Sequence, residues 1–177
     1  MSTSALQGVV LLLGLFQFAL ACSALYPDPR RPGNILLSIY LLGFALFSAG
    51  VVGMTSATTV LQATPWTWLV ALAGPQVGIG LTYLTLHIYR PAWLKRVYIF
   101  VPLAVLSTAP VLLTLIDAVF GTHLIYGGLD PRSYTGGYTE PATLLTAPLG
   151  GFFRLTNLIV LQFVEVGLLL YLLRQPD

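Results

Sequence analysis

Charge is what this sequence lacks most. Lys, Arg, Asp and Glu together make up 8% of its 177 residues, where a soluble domain carries about a quarter. Hydrophobic residues make up 56% and the mean hydropathy is +0.85, more apolar surface than a soluble core of this size can hide. The chain therefore reads as an integral membrane protein with no stretch left for a folded soluble domain. A net charge of +2 also excludes a nucleic-acid partner, which needs a basic stripe.

Cysteine and histidine are nearly absent too. Cys22 is the single cysteine, so an intrachain disulfide and a cysteine metal motif are both ruled out. It follows Ala19-Leu20-Ala21 in the manner of a lipoprotein cleavage site. Residues 1–4 hold no Lys or Arg, however, and a signal peptide needs a positive start, so a retained helix is expected. His87 and His123 stand apart and give no ligand spacing for zinc or paired haem ligation. No metal is expected, and the residues name no cofactor. HExxH, P-loop and Ser–His–Asp arrangements are missing, which leaves no positive case for an enzyme.

What is present is a series of apolar runs. Five are long enough to cross ~30 Å of hydrocarbon at ~1.5 Å per helical residue: residues 6–25, 35–53, 66–88, 97–118 and 152–173. The expected fold class is an all-α integral membrane protein, a bundle of five transmembrane helices in a single membrane domain over residues 1–177. Tyr26-Pro27-Asp28-Pro29-Arg30-Arg31-Pro32-Gly33 breaks the chain after the first span, and Asn34 is the expected N-cap of the second. Residues 54–65 read as a neutral loop, ended by Trp66 and Trp68 as part of an interfacial belt. Ala45, Ala49 and Gly53, and likewise Gly74 and Gly78, are small-residue spacings that admit another backbone closely. Pro75 should kink the third span, and Pro102 and Pro110 the fourth.

Loop charges set the expected orientation. Arg30 and Arg31 follow the first span and Arg90, Lys95 and Arg96 the third, whereas the alternate loops are nearly free of cations. The positive-inside rule then puts those two turns and the C-terminus in the cytoplasm, with the N-terminus and the long loop 121–150 outside.

The last span is the least ordinary. Arg154, Asn157, Gln162 and Glu165 share one arc of roughly 140° on it. Glu165 stands ~16 Å along the helix from Arg154, near the bilayer centre, where a carboxyl must face protein or a water-filled cavity. Gln17, Gln76, Gln162 and Glu165 reach similar depth. Together they make a ligand, quinone or proton site, or a set of interhelical hydrogen bonds worth typically ~0.6 kcal/mol each, or the Glu165 face meets another protein's helix. Asp117 and Arg154 both fall near the outer boundary, where a salt bridge between them is expected. In the outer loop, His123, Tyr126, Tyr134 and Tyr138, spaced by glycines, form with Asp117 a candidate contact surface.

The order of these features resembles the N-terminal membrane sensor domain, normally seven helices, of bacterial histidine kinases and related signalling proteins. The likeness lies in Arg30-Arg31-Pro32-Gly33 before the second span and in the Gly/Pro centre of the third. It continues through Tyr89-Arg90-Pro91 with Lys95-Arg96, and through the Asp117 to Tyr126 stretch with its glycine-rich loop. The chain departs from that family in having five expected spans, and no output domain follows Asp177 in this sequence. The resemblance implies a non-catalytic sensory or anchoring module in the bacterial cytoplasmic (inner) membrane, partnered by the lipid bilayer and by another membrane protein or a second copy. A different reading is an accessory or structural subunit of an energy-transducing or transport complex, carried by the polar arc of the last span. A stand-alone transporter is a third, and would require oligomerisation.

Overall fold

The computed structural model describes residues 3–130, 144–159 and 166–174. In chain order these form α1 (Thr3–Leu25), α2 (Pro32–Ser56), α3 (Val60–Tyr89), the short α4 (Pro91–Leu94), α5 (Val97–Phe120), β1 (Tyr126–Leu129), β2 (Leu144–Thr146), α6 (Pro148–Ile159) and α7 (Val166–Leu173). Four of these helices, α1, α2, α3 and α5, are long and apolar enough to cross a bilayer, making this a helical, multi-pass membrane protein. The fifth expected span, 152–173, corresponds to α6 and α7, with 160–165 between them outside the described residues.

The four spans stand in chain order. The main helix contacts run α1 to α2, α2 to α3 and α3 to α5. Burial follows that order: 28% and 33% of the apolar windows of α2 and α3 are buried, against 11% and 17% for the flanking α1 and α5. Small residues set the close approaches. Gly14 on α1 lies where an added methyl would meet Ser48 Cβ at 3.1 Å. Gly50 on α2 lies against Val70, whose Cγ2 an added methyl would meet at 2.7 Å, and Gly53 lies against the Trp66 ring. The expected stripe of Ala45, Ala49 and Gly53 is therefore shared between two neighbours, because Ala45 faces α1 at Gly14 while Gly53 faces α3.

Two helix starts stand out against the sequence expectation. α2 starts at Pro32, not at residue 35, since proline at the first helical position comes with its φ already set. Asn34 is consequently inside the helix, and its amide donates to the Asp28 carbonyl at 2.9 Å. α3 starts at Val60, six residues before the expected 66. Thr59 Oγ1 accepts the Gln62 amide at 3.3 Å, a side-chain N-cap, and Gln62 Oε1 accepts from the Thr58 amide just before it at 3.1 Å. With 30 residues, α3 is ~45 Å long against ~30 Å of hydrocarbon, so its first turns extend past the tryptophan belt. There Ala63 packs with Ala57 and Leu129.

The loop 121–150 also holds more structure than expected. β1 and β2 pair antiparallel, Tyr126 with Thr146, Gly128 with Leu145 and Leu129 with Leu144, with a bulge between Tyr126 and Gly128. α6 begins within that loop, at Pro148.

Candidate functional site

The end of the bundle that carries the hairpin, the loop end, is where the candidate residues gather. α5 stops because Gly121 takes a left-handed conformation, φ 62°, and its amide bonds the Asp117 carbonyl at 2.8 Å, a glycine C-terminal cap. The chain then folds back over Asp117, whose side chain is only 2% exposed. Oδ1 accepts from the Thr122 hydroxyl and, at 2.6 Å, from the Leu124 amide. Oδ2 accepts from the amides of Ile125 at 2.6 Å and Tyr126 at 3.1 Å. One carboxylate thus satisfies the backbone of the whole turn that leads into β1. His123 adopts φ 55° within it, a left-handed conformation that histidine takes more readily than most non-glycine residues. Its Nδ1 lies 3.1 Å from the Tyr126 carbonyl, a contact that requires the proton on Nδ1.

Tyr126 is the centre of the assembly. Its ring meets Trp68 of α3 edge to face, 5.8 Å between centroids at 81°, the arrangement aromatic quadrupoles prefer. The Arg154 guanidinium of α6 lies 5.6 Å from the same ring centroid, within cation–π range. Burial pushes the Tyr126 hydroxyl above its ordinary range, while the charge of Arg154 and its hydrogen bond to the hydroxyl pull it back part of the way. Phe153 of α6, Leu113 of α5 and Ala71 of α3 close around Tyr126 and Ile125. Gly150 allows this docking: a methyl there would collide with the Ile125 carbonyl. Three helices and a strand therefore converge on two residues, Ile125 and Tyr126.

The expected salt bridge is replaced by this arrangement. Asp117 takes its four donors from the turn after α5, and Arg154, exposed on α6, sits against Tyr126. One turn below Asp117, the buried Thr114 hydroxyl has no partner among the described residues.

The mid-membrane residues are distributed differently. Gln76 Nε2 donates to the Ser107 carbonyl of α5 at 2.9 Å, fastening α3 to α5 near Pro110. Gln17, on α1, keeps a buried Oε1 without a partner among the described residues. No hydrogen bond joins the two glutamines. Gln162, Glu165, Tyr134 and Tyr138 lie outside the described residues, and only the backbone of Asn157, in α6, is described. Among the described residues no three His, Cys, Asp or Glu gather as metal ligands.

Sequence reasoning missed Trp68 as a partner of Tyr126 and missed Gly150. The first had as its signal only the presence of Trp68 as a belt residue and Tyr126 as a loop tyrosine, with nothing to pair them. The second had none, since close approach to Ile125 is set by the fold alone. Comparisons of the chain with protein-family models, with curated proteins and with solved structures find no match.

Proposed function

We propose that this chain is a non-catalytic sensory or anchoring module of the bacterial inner membrane, with its loop end outside and its basic turns in the cytoplasm. The observation that supports it is the convergence of α3, β1 and α6 on Tyr126, with the carboxylate of Asp117 on α5 holding the turn that leads into it. A ligand or a change of membrane state that moves the hairpin is felt at once by α3, α5 and α6. α6 leads on toward the C-terminus, which in this reading lies in the cytoplasm and carries the response to a partner. The likeness to histidine-kinase membrane domains agrees with such a relay, and the fifth crossing of the membrane belongs to it.

A second reading, a structural subunit of a larger membrane complex, has its own support. α1 is only 11% buried in its apolar window, and a neighbouring helix would cover its exposed face. Purification of the natively expressed protein in mild detergent, with mass spectrometry of what accompanies it, separates the two. Stoichiometric transport or energy-transducing subunits would favour the second reading and sink the first. A signalling partner, with reporter fusions placing residue 130 outside and residue 92 inside, is the outcome the first requires.

A further inference from the structure

A groove of about 210 Å³ runs between α1 and α2 toward the turn end of the bundle, lined by Phe18, Cys22, Leu25, Ile35, Ile39 and Leu42. Its walls are apolar. The one hydroxyl in them, Ser38 Oγ, is spent on the Ala21 carbonyl at 2.7 Å, so apart from the Cys22 thiol the groove offers a guest no polar side chain. Phe18, Ile39 and Leu42 are 51%, 49% and 39% exposed, which opens the groove sideways to the hydrocarbon. Leu25 ends α1 and Ile35 lies in the first turn of α2, so the groove closes on the segment that joins these helices.

That segment carries Arg30 and Arg31, both exposed. Its only carboxylate, Asp28, accepts from the Arg30 backbone amide at 3.0 Å, and its carbonyl takes the Asn34 amide. Among the described residues neither guanidinium is tied into an ion pair. Two uncommitted guanidinium groups therefore stand beyond the mouth of an apolar groove that faces lipid. His87 of α3 lies near Gly33 at the start of α2, its ring 3.5 Å from where an added methyl would stand.

We infer that this is a binding site for one anionic phospholipid of the leaflet at the turn end. An acyl chain fills the α1–α2 groove and the phosphate sits on Arg30 and Arg31. An acyl chain is the guest that a groove inside the membrane meets at highest concentration. Guanidinium forks match a phosphate bidentately, and basic residues between transmembrane helices are a recurring headgroup site. The site depends on the membrane spans and not on the signalling reading, so the two stand or fall separately.

The test is native mass spectrometry of the full chain in mild detergent, titrated with dioleoyl phosphatidylglycerol or dioleoyl phosphatidylcholine. Phosphatidylglycerol should bind about tenfold more tightly. The double variant Arg30→Gln, Arg31→Gln should remove that preference, and Ile39→Trp, which fills the groove, should weaken both lipids. Lys95→Gln with Arg96→Gln, in the other turn at the same end, should leave the preference intact. Equal binding of the two lipids by the wild type overturns the site. So does an equal loss from the Lys95/Arg96 pair, which would reveal only diffuse attraction to a basic end. Unchanged binding in Ile39→Trp overturns the groove. The substituted side chains are exposed, and thermal unfolding of each variant checks that the bundle is retained.

Discussion

At the loop end of this bundle two charged side chains, Asp117 and Arg154, are set against the protein, whereas at the turn end Arg30, Arg31, Lys95 and Arg96 are left to the surroundings. Asp117 is buried under four donors and Arg154 is pressed against Tyr126. Arg30, Arg31, Lys95 and Arg96 are all exposed, and among the described residues only Arg96 has a side-chain partner, the Tyr98 hydroxyl at 2.7 Å. Tyr26, Tyr89 and Tyr98 beside them are also exposed, as suits rings at headgroup level. The two ends therefore use charge for different purposes. At one end it shapes the protein, and at the other it is left exposed, where the proposed lipid site draws on it. A polar residue near a membrane boundary is thus no guide to function until its partners are known.

The sharpest way to break this contrast is at Asp117. In Asp117→Asn one carboxylate oxygen becomes an NH₂, which cannot accept, so whichever way the amide turns two of the four donors lose their acceptor. Buried unsatisfied donors cost roughly 1–3 kcal/mol each, and a loss of about 3 kcal/mol is expected in thermal or denaturant unfolding of the detergent-solubilised protein. Unfolding at the wild-type midpoint would show that the turn does not depend on the carboxylate. Gly150→Ala should come next. Its new methyl meets the Ile125 carbonyl, a backbone atom that cannot step aside, and overpacking of this kind costs about 1–3 kcal/mol. Gly53→Ala is the comparison. Its obstacle is the Trp66 ring, 40% exposed and able to swing toward the interface, so the same measurement should register a smaller drop.

The membrane-crossing runs were legible because a span is a property of composition: four stretches had to be helical to satisfy their backbone in lipid. Where those helices end was less legible, since the ends lie in water and are decided by local chemistry. The Thr59-x-x-Gln62 cap was present to be read, but the apolar run began at Trp66 and hydropathy dominated. Asp117 stood out as the acid at the far end of the fourth span. Its partners were not readable, because three of the four are backbone amides that carry no residue signature. Gln76 was similar: its acceptor is the carbonyl of Ser107. The pairing of Trp68 with Tyr126 joins residues far apart in the chain, and only the packing of α3 against the hairpin brings them together.

Tyr126→Phe probes the same end more gently. The ring stays for Trp68 and for the guanidinium, and only the hydroxyl's hydrogen bond is lost, about 1 kcal/mol at neutral pH. Its pH dependence is the more telling result. The folded hydroxyl titrates above the ordinary value of 10.0, so above that pH the unfolded chain releases its proton first. The folded state then holds more protons than the unfolded, and stability falls as pH rises. Wild type should therefore lose stability above about pH 10 more steeply than Tyr126→Phe. Parallel alkaline slopes would mean that the hydroxyl is as solvated folded as unfolded.

The smallest effect should come from the other end. Arg96 donates to the Tyr98 hydroxyl and lies 6.0 Å from that ring's centroid, the same two kinds of contact that Arg154 makes with Tyr126. The difference is the setting. Tyr98 is 68% exposed and Tyr126 only 9%, so water competes for every group at the turn end. Exposed charge contacts are worth roughly 0.2–1 kcal/mol and often less, and Arg96→Gln should leave the unfolding midpoint within about 0.5 kcal/mol of wild type. Arg154→Gln, measured beside it, should cost distinctly more, because it leaves the buried hydroxyl of Tyr126 without its charged partner. Equal losses from the two arginines would mean that burial of the tyrosine does not decide the strength of the contact, and the distinction between the two ends would fail there.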